Sequence, residues 1–180
     1  MRNLAVIFPG KNYNADKPLL YYARNMLEEN GFETVNIDYG ELPDEKMAAF
    51  HTAMERIREQ LNGISLEDHG NIVFVSKSMG TVLAGAAAKE LKLPVKHIYF
   101  TPVDSSLPFM TGEGIAFSGT RDPHIDIESL KAECKRKNIS LYVFEGADHS
   151  LEVGRAQDDI EIQAKIAAEC ESFVSRLSAV

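Results

Sequence analysis

The sequence predicts an α/β protein: a mainly parallel sheet of six strands with helices on both faces. Three observations carry this expectation. Short apolar runs alternate with longer amphipathic or small-residue segments along the whole 180-residue chain, and such β-α-β alternation calls for parallel strands joined by right-handed crossovers. The alternation runs without repeats, linkers or low-complexity segments. One apolar run, Ile72-Val73-Phe74-Val75, stops at Ser76-Lys77-Ser78 and continues as a small-residue helix, which is how a strand feeds a crossover helix at a sheet edge.

Residues 4–8 read as the first strand. Residues 18–30 form a helix, with Asp16 as a candidate cap, Pro18 near its start and Gly31 just past its end. Residues 34–38 give the second strand. In residues 44–61, Met47, Phe50, Met54, Ile57 and Leu61 recur at spacings of three and four, placing them on one helical face toward the core. The third strand, residues 72–75, leads into a helix over 79–91 whose Gly80, Ala84, Gly85, Ala86, Ala87 and Ala88 permit close approach to the sheet. Strands at 95–100, 114–118 and 140–144 follow, separated by an irregular stretch and by a helix at 126–137. The last helix, about 156–177, turns Ile162, Ile166, Cys170, Phe173 and Leu177 inward.

With 44% hydrophobic residues, 180 residues suit one domain with one substantial core, spanning 1–180. A net charge of −8 without a long basic run opposes nucleic-acid and anionic-membrane partners. Lys131 to Lys137, the densest basic stretch, is interrupted by Glu133 and Cys134 and reads as a solvated helix end. The two cysteines, Cys134 and Cys170, have neither metal-ligand nor redox spacing; a reduced state is the simpler reading, with a bridge between their helices left open. No apolar stretch approaches the roughly 20 residues of a membrane span, and the first apolar run is too short for an export signal, so a cytoplasmic protein is expected.

Ser78 lies where a nucleophile is best displayed. A strand-to-helix turn lifts the hydroxyl above the sheet edge while the next backbone N–H points at the charge that develops on an attacked carbonyl. Ser76 and Gly80 flank it and are both small, although the usual G-x-S-x-G pattern has glycine where Ser76 stands. The competing reading is a Ser-rich turn without chemistry. Later strands end in Gly119-Thr120-Arg121-Asp122-Pro123 and in Glu145-Gly146-Ala147-Asp148-His149-Ser150. In these residues the chain resembles the α/β-hydrolase superfamily, specifically its small, lidless, esterase-like proteins, whose triad runs Ser, acid, His on loops after successive strands. The resemblance covers nearly the whole chain. It implies Ser78 as nucleophile, Asp122 as the acid and His149 as the base, on a minimal α/β-hydrolase fold with strand order 2-1-3-4-5-6 that lacks the two leading antiparallel strands of larger relatives.

The chemistry of these side chains agrees. Histidine titrates nearest neutrality and can take a serine proton and return it to a leaving group, while a carboxylate holds its tautomer and stabilises the imidazolium. Asp122 has a competing reading as a turn residue or partner of Arg121. Asp148, adjacent to His149, is poorly placed to face it. His51, His69, His97 and His124 read as structural or solvated.

An oxyanion hole takes one donor from Met79 and, by the same resemblance, a second from the loop after the first strand, where Pro9-Gly10 replaces the familiar His-Gly. Lys11 N–H is the better candidate and Gly10 N–H the other; a Pro-Gly turn without a ligand role competes. Leu107, Phe109 and Met110, in the short stretch where larger relatives insert a lid, suit an acyl pocket or, equally, a cover for the core. Tyr13, Lys77 and Arg121 adjoin the expected site and suit a polar or anionic group, or simply packing.

The expected function is hydrolysis of a small ester or thioester through an acyl-enzyme, with no metal and no cofactor. A catalytically silent scaffold that binds a ligand or partner is the alternative from another class, and an acyltransferase shares the same acyl-enzyme. A dinucleotide-binding domain is disfavoured because no G-x-G-x-x-G follows the first strand. Substrate identity and oligomeric state are not written in the sequence.

Overall fold

The computed structural model describes residues 2–111 and 113–178, with the side chain of Ser178 left aside. The strands are β1 (Arg2–Phe8), β2 (Phe32–Asn36), β3 (His69–Lys77), β4 (Val95–Phe100), β5 (Gly114–Gly119) and β6 (Ser140–Phe144). The helices are α1 (Pro18–Glu29), α2 (Lys46–Asn62), α3 (Met79–Leu91), α4 (Ile127–Lys137) and α5 (Ala156–Ser178), with short 3-10 turns at Leu66–Asp68 and Asp104–Ser106. The sheet has the order β2-β1-β3-β4-β5-β6, and every pair is parallel.

Alternation along the strands divides the core. Ala5, Ile7, Val73, Val75, Ile98, Phe100, Ile115 and Phe117 meet α1 and α5 on one face. On the other, Leu4, Val6, Phe8, Ile72 and Phe74 meet α2 and α3, and Tyr99 and Ala116 meet Leu130 and Cys134 of α4. Both faces of the central strands are therefore apolar, as a covered parallel sheet requires. Cys134 and Cys170 sit on opposite faces of the sheet, buried and free, so no bridge joins them.

Three local expectations are corrected. The N-cap of α1 is Lys17, with no side-chain capping bond, not Asp16; the Tyr13 hydroxyl instead accepts from Leu19 N–H at 3.0 Å and satisfies a first-turn donor. Met54, Ile57 and Leu61 of α2 are buried, but Met47, in the first turn, finds no place in that cluster and is 59% exposed. The third strand starts earlier, at His69, because its polar first residues pair through the backbone with β1, Arg2 opposite His69. Among the described residues no helix is long and apolar enough to cross a membrane.

Candidate active site

Parallel strands end together, so the loops after β1, β3, β5 and β6 share one edge of the sheet, where open α/β sheets bind ligands. Ser78 follows β3 directly and has φ 55° and ψ −121°, a conformation that costs a non-glycine residue of order 1–3 kcal/mol. Its N–H donates to Phe100 O on β4 at 3.0 Å, and its own carbonyl accepts from Thr81 N–H and the Thr81 hydroxyl. Ser78 is the N-cap of α3, yet its side chain makes no capping bond. A serine there ordinarily accepts from the first-turn amides. The freed hydroxyl lies 2.7 Å from His149 Nε2.

The turn depends on Gly80. A Cβ there would stand 2.2 Å from Phe8 O and 2.6 Å from Pro9 O, both main chain that cannot give way. The loop after β1 then passes the Ser78 side chain itself: a Cβ on Gly10 would lie 3.4 Å from Ser78 Cβ.

Asp122 follows β5 and its side chain is fully buried. Oδ2 lies 2.7 Å from His149 Nδ1, while Oδ1 accepts from His124 N–H at 2.9 Å. The carboxylate is thus committed on both sides. His149, after β6, keeps 24% of its side chain exposed, enough for a bound substrate to reach Nε2. Asp148 turns into its own loop, where Oδ1 accepts from Ser150 N–H at 2.7 Å and Glu152 N–H at 3.2 Å. Ser78, His149 and Asp122 therefore form one hydrogen-bonded chain.

Two neighbours of this chain were not marked by the sequence pattern. Gly119 ends β5 where a Cβ would fall 2.1 Å from Ala147 O and 2.5 Å from Ala147 C; together with Arg121 N–H donating to Ala147 O at 2.9 Å, it lets the loops that carry Asp122 and His149 touch backbone to backbone. The only signal was a glycine at a strand end. His124, read as structural or solvated, sets its ring edge-on to the His149 ring at 4.6 Å.

The oxyanion donors can be sorted by which amides are already used. Gly10 N–H donates to Tyr13 O at 2.9 Å, so it is spent within its own turn. Lys11 N–H and Met79 N–H have no acceptor among the described residues, and Met79 opens α3, where the helix dipole favours negative charge.

Of the residues expected to line a pocket, Leu107, Phe109 and Met110 pack on the core, while Tyr13 lies in the loop beside Ser78. Phe109 packs its main chain against Gly85 of α3, where a Cβ would meet Phe109 O at 2.5 Å, and its ring against Phe50. Met110 is buried with Tyr99 and Ala116, and Leu107 packs on the same cluster. Lysines fasten this stretch from both sides: Lys89 Nζ donates to Pro108 O at 2.7 Å, and Lys137 Nζ donates to Leu107 O at 3.0 Å and to Met110 O. Tyr13 supports its loop through the Leu19 bond and lies under Lys77 Nζ, 4.9 Å from the ring centroid. A cavity of about 460 Å³ is lined by the C-terminal ends of α2 and α3, including Leu61 and Leu91, at the opposite edge of the sheet from Ser78. Among the described residues no cluster of His, Cys, Asp and Glu side chains is arranged to hold a metal ion.

No family model and no curated protein matches the sequence. Solved structures do match. An α/β serine hydrolase homologue from Coxiella burnetii superposes with a TM-score of 0.70 at 14% identity, over 93% of this chain and 84% of that one. Est1E from Butyrivibrio proteoclasticus gives 0.72 at 12% identity, over 97% and 89%. An α/β serine hydrolase without a lid from Xanthomonas campestris gives 0.69 at 13% identity, over 96% and 81%. The chain has the α/β-hydrolase fold in its lidless form.

Proposed function

On that fold, we propose that the protein is a serine hydrolase that cleaves a small ester or thioester through an acyl-enzyme. The observation that carries the reading is the continuous chain from Ser78 Oγ to His149 Nε2 and from His149 Nδ1 to Asp122, each step 2.7 Å, with the serine held in a strained turn. Strain at a hydroxyl that caps nothing is a cost without a structural return.

In the proposed reaction His149 Nε2 takes the Ser78 proton as Oγ attacks the substrate carbonyl. The oxyanion is met by the N–H groups of Met79 and Lys11. The same Nε2 then protonates the leaving alcohol or thiol, leaving an acyl group on Ser78. Water, deprotonated by His149, attacks this acyl carbonyl, and Ser78 regains its proton. Asp122 keeps Nδ1 protonated throughout and stabilises the imidazolium without taking a proton. The pinned stretch between β4 and β5 supports an open site reached without lid movement, which suits small or extended substrates.

A series of p-nitrophenyl esters of graded chain length, with Ser78→Ala as control, tests activity and acyl preference together. Ser78 is expected to be the serine labelled by a fluorophosphonate probe, with Ser76 unmodified, and Ser78→Ala is expected to lower kcat about 10³-fold or more. A folded Ser78→Ala protein with wild-type turnover, or a label mapped to another serine, would favour the silent scaffold instead.

A further inference from the structure

Lys77, the last residue of β3, is 1% exposed, on a strand face whose preceding positions, Val73 and Val75, are apolar and buried. It makes no ion pair among the described residues. An ammonium buried away from any carboxylate in contact is unfavourable, and an apolar side chain would be expected in its place. What it has instead are two contacts, to two loops. Nζ donates to the main-chain carbonyl of His149 at 2.9 Å and stands over the ring of Tyr13 at 4.9 Å. Tyr13 in turn closes the turn that carries Gly10 and Lys11, through the paired Gly10 and Tyr13 main chains, and anchors that turn to α1.

We propose that Lys77 is a positioning residue whose ammonium fastens the main chain of the base loop to the face of Tyr13, and so to the loop that supplies the second oxyanion donor. The proposal rests on the serine-hydrolase reading for its catalytic meaning. One side chain from β3, adjacent to the nucleophile in sequence, thereby joins the three parts that must keep register: Ser78 through the chain, His149 through a hydrogen bond, and the oxyanion loop through a cation–π contact. A mislocation of about 1 Å among such parts costs on the order of 10²-fold in rate.

The same cation also acts on the base. Burial pushes the Lys77 ammonium down to about 8, with the fields of Asp122 and Asp148 opposing the fall, so at pH 7 it is charged. A positive charge near an imidazole disfavours the imidazolium. Removing it is expected to ease protonation of His149. The groups facing Lys77 are Tyr13 from the loop after β1, Asp122 from the loop after β5, and Asp148 and His149 from the loop after β6.

The test is Lys77→Met, neutral and close in shape, read in two ways. The NMR titration midpoint of the His149 ring, assigned with His149→Gln, is expected to move up by about half a unit or more, while Lys77→Arg, which keeps a cation, holds it near wild type. The His149→Gln assignment also separates the signal of His124, whose ring stands edge-on to that of His149 at 4.6 Å. On a p-nitrophenyl ester, kcat is expected to fall about tenfold or more with KM changed less than about threefold, and thermal stability is expected to hold or rise. Should Lys77→Met fail to fold, Lys77→Gln is expected to move the midpoint in the same direction. A midpoint within about 0.2 unit of wild type together with kcat within about twofold would overturn the proposal. The titration needs no substrate, so its outcome stands apart from that of Ser78→Ala, which tests the hydrolase reading itself.

Discussion

Asp122→Asn has an outcome fixed by the hydrogen bonds around the carboxylate. Oδ1 accepts from His124 N–H at 2.9 Å and Oδ2 faces His149 Nδ1 at 2.7 Å. An asparagine must keep its carbonyl oxygen toward His124, because the flipped amide would set two donors against each other. Its NH₂ then faces Nδ1. That nitrogen can accept only when unprotonated, so the imidazole proton moves to Nε2, which donates to Ser78 Oγ instead of accepting from it. To act as base, the ring must adopt the other tautomer, losing a bond to a charged acceptor worth about 1.5–3 kcal/mol, and must then carry its positive charge without a buried carboxylate beside it. A loss of about 10³ to 10⁴ in kcat is expected from both effects, which at about 1.4 kcal/mol per tenfold is about 4–5.5 kcal/mol of barrier. The assay is hydrolysis of a p-nitrophenyl ester under saturating substrate, paired with ¹⁵N NMR of the ring to read the tautomer. A folded Asp122→Asn protein that kept more than about a tenth of wild-type kcat would refute this account of the acid.

Gly119→Ala places a methyl 2.1 Å from Ala147 O and should displace the base loop, lowering kcat by about 10²-fold as well as the melting temperature; an unchanged enzyme would mean that the two loops do not need this approach. His97 is fully buried, both ring nitrogens lack partners among the described residues, and burial pushes it down to about 3. Its unfolded counterpart, near 6.5, binds a proton first as pH falls, so stability drops below about pH 6.5 and keeps dropping toward pH 3. His97→Phe removes this term, and urea unfolding should show its advantage over wild type growing by roughly 3 kcal/mol between pH 7 and pH 4. A difference that stayed constant with pH would place the acid sensitivity elsewhere.

The strands were legible because apolar runs bounded by turns survive in one dimension, whereas their order and the grouping of Ser78, Asp122 and His149 came from the resemblance to the α/β-hydrolase superfamily. A parallel sheet that brings every strand end to one edge is consistent with that grouping. What stayed hidden depends on approach between main chains or on which way a side chain folds. The extension of β3 back to His69 is made by backbone pairing with Arg2 and by Asn71 N–H donating to Asn3 Oδ1 at 3.0 Å, beneath a polar sequence. Gly119 looks like any strand-end glycine until Ala147 O is placed beside it. Lys77 reads in the sequence equally as a residue that recognises a polar or anionic group, a surface residue or a packing residue, since no periodicity distinguishes a buried lysine from an exposed one at a strand end. Phe109 and Met110 were apolar residues in a loop, and only the glycine surface of α3 and the cluster under α4 decide that they face the core.

The distribution of strain connects these particulars to function. Among the described residues six non-glycine residues have positive φ: Ser78, Lys92, Thr101, Glu113, Asn138 and Leu151. Lys92 and Asn138 are left-handed C-caps of α3 and α4, an ordinary way to end a helix. Glu113 immediately precedes β5, at the opposite edge, whereas Ser78 and Thr101 directly follow β3 and β4 and Leu151 lies two residues beyond His149. Buried hydroxyls without partners among the described residues, Thr101 Oγ1 and Ser118 Oγ, lie at the same ends of neighbouring strands. Conformations of this kind cost of order 1–3 kcal/mol each and persist where surrounding structure over-determines them. Here the determinants are visible: Ser78 N–H is fixed to Phe100 O, Thr101 N–H to Phe117 O at 2.8 Å, and Leu151 N–H to Asp148 O at 3.0 Å. The opposite edge holds the cavity between α2 and α3 and none of the candidate triad. Rigid hydrogen bonding that holds unfavourable conformations at one edge, beside a serine that caps nothing, is what a preorganised nucleophile site requires.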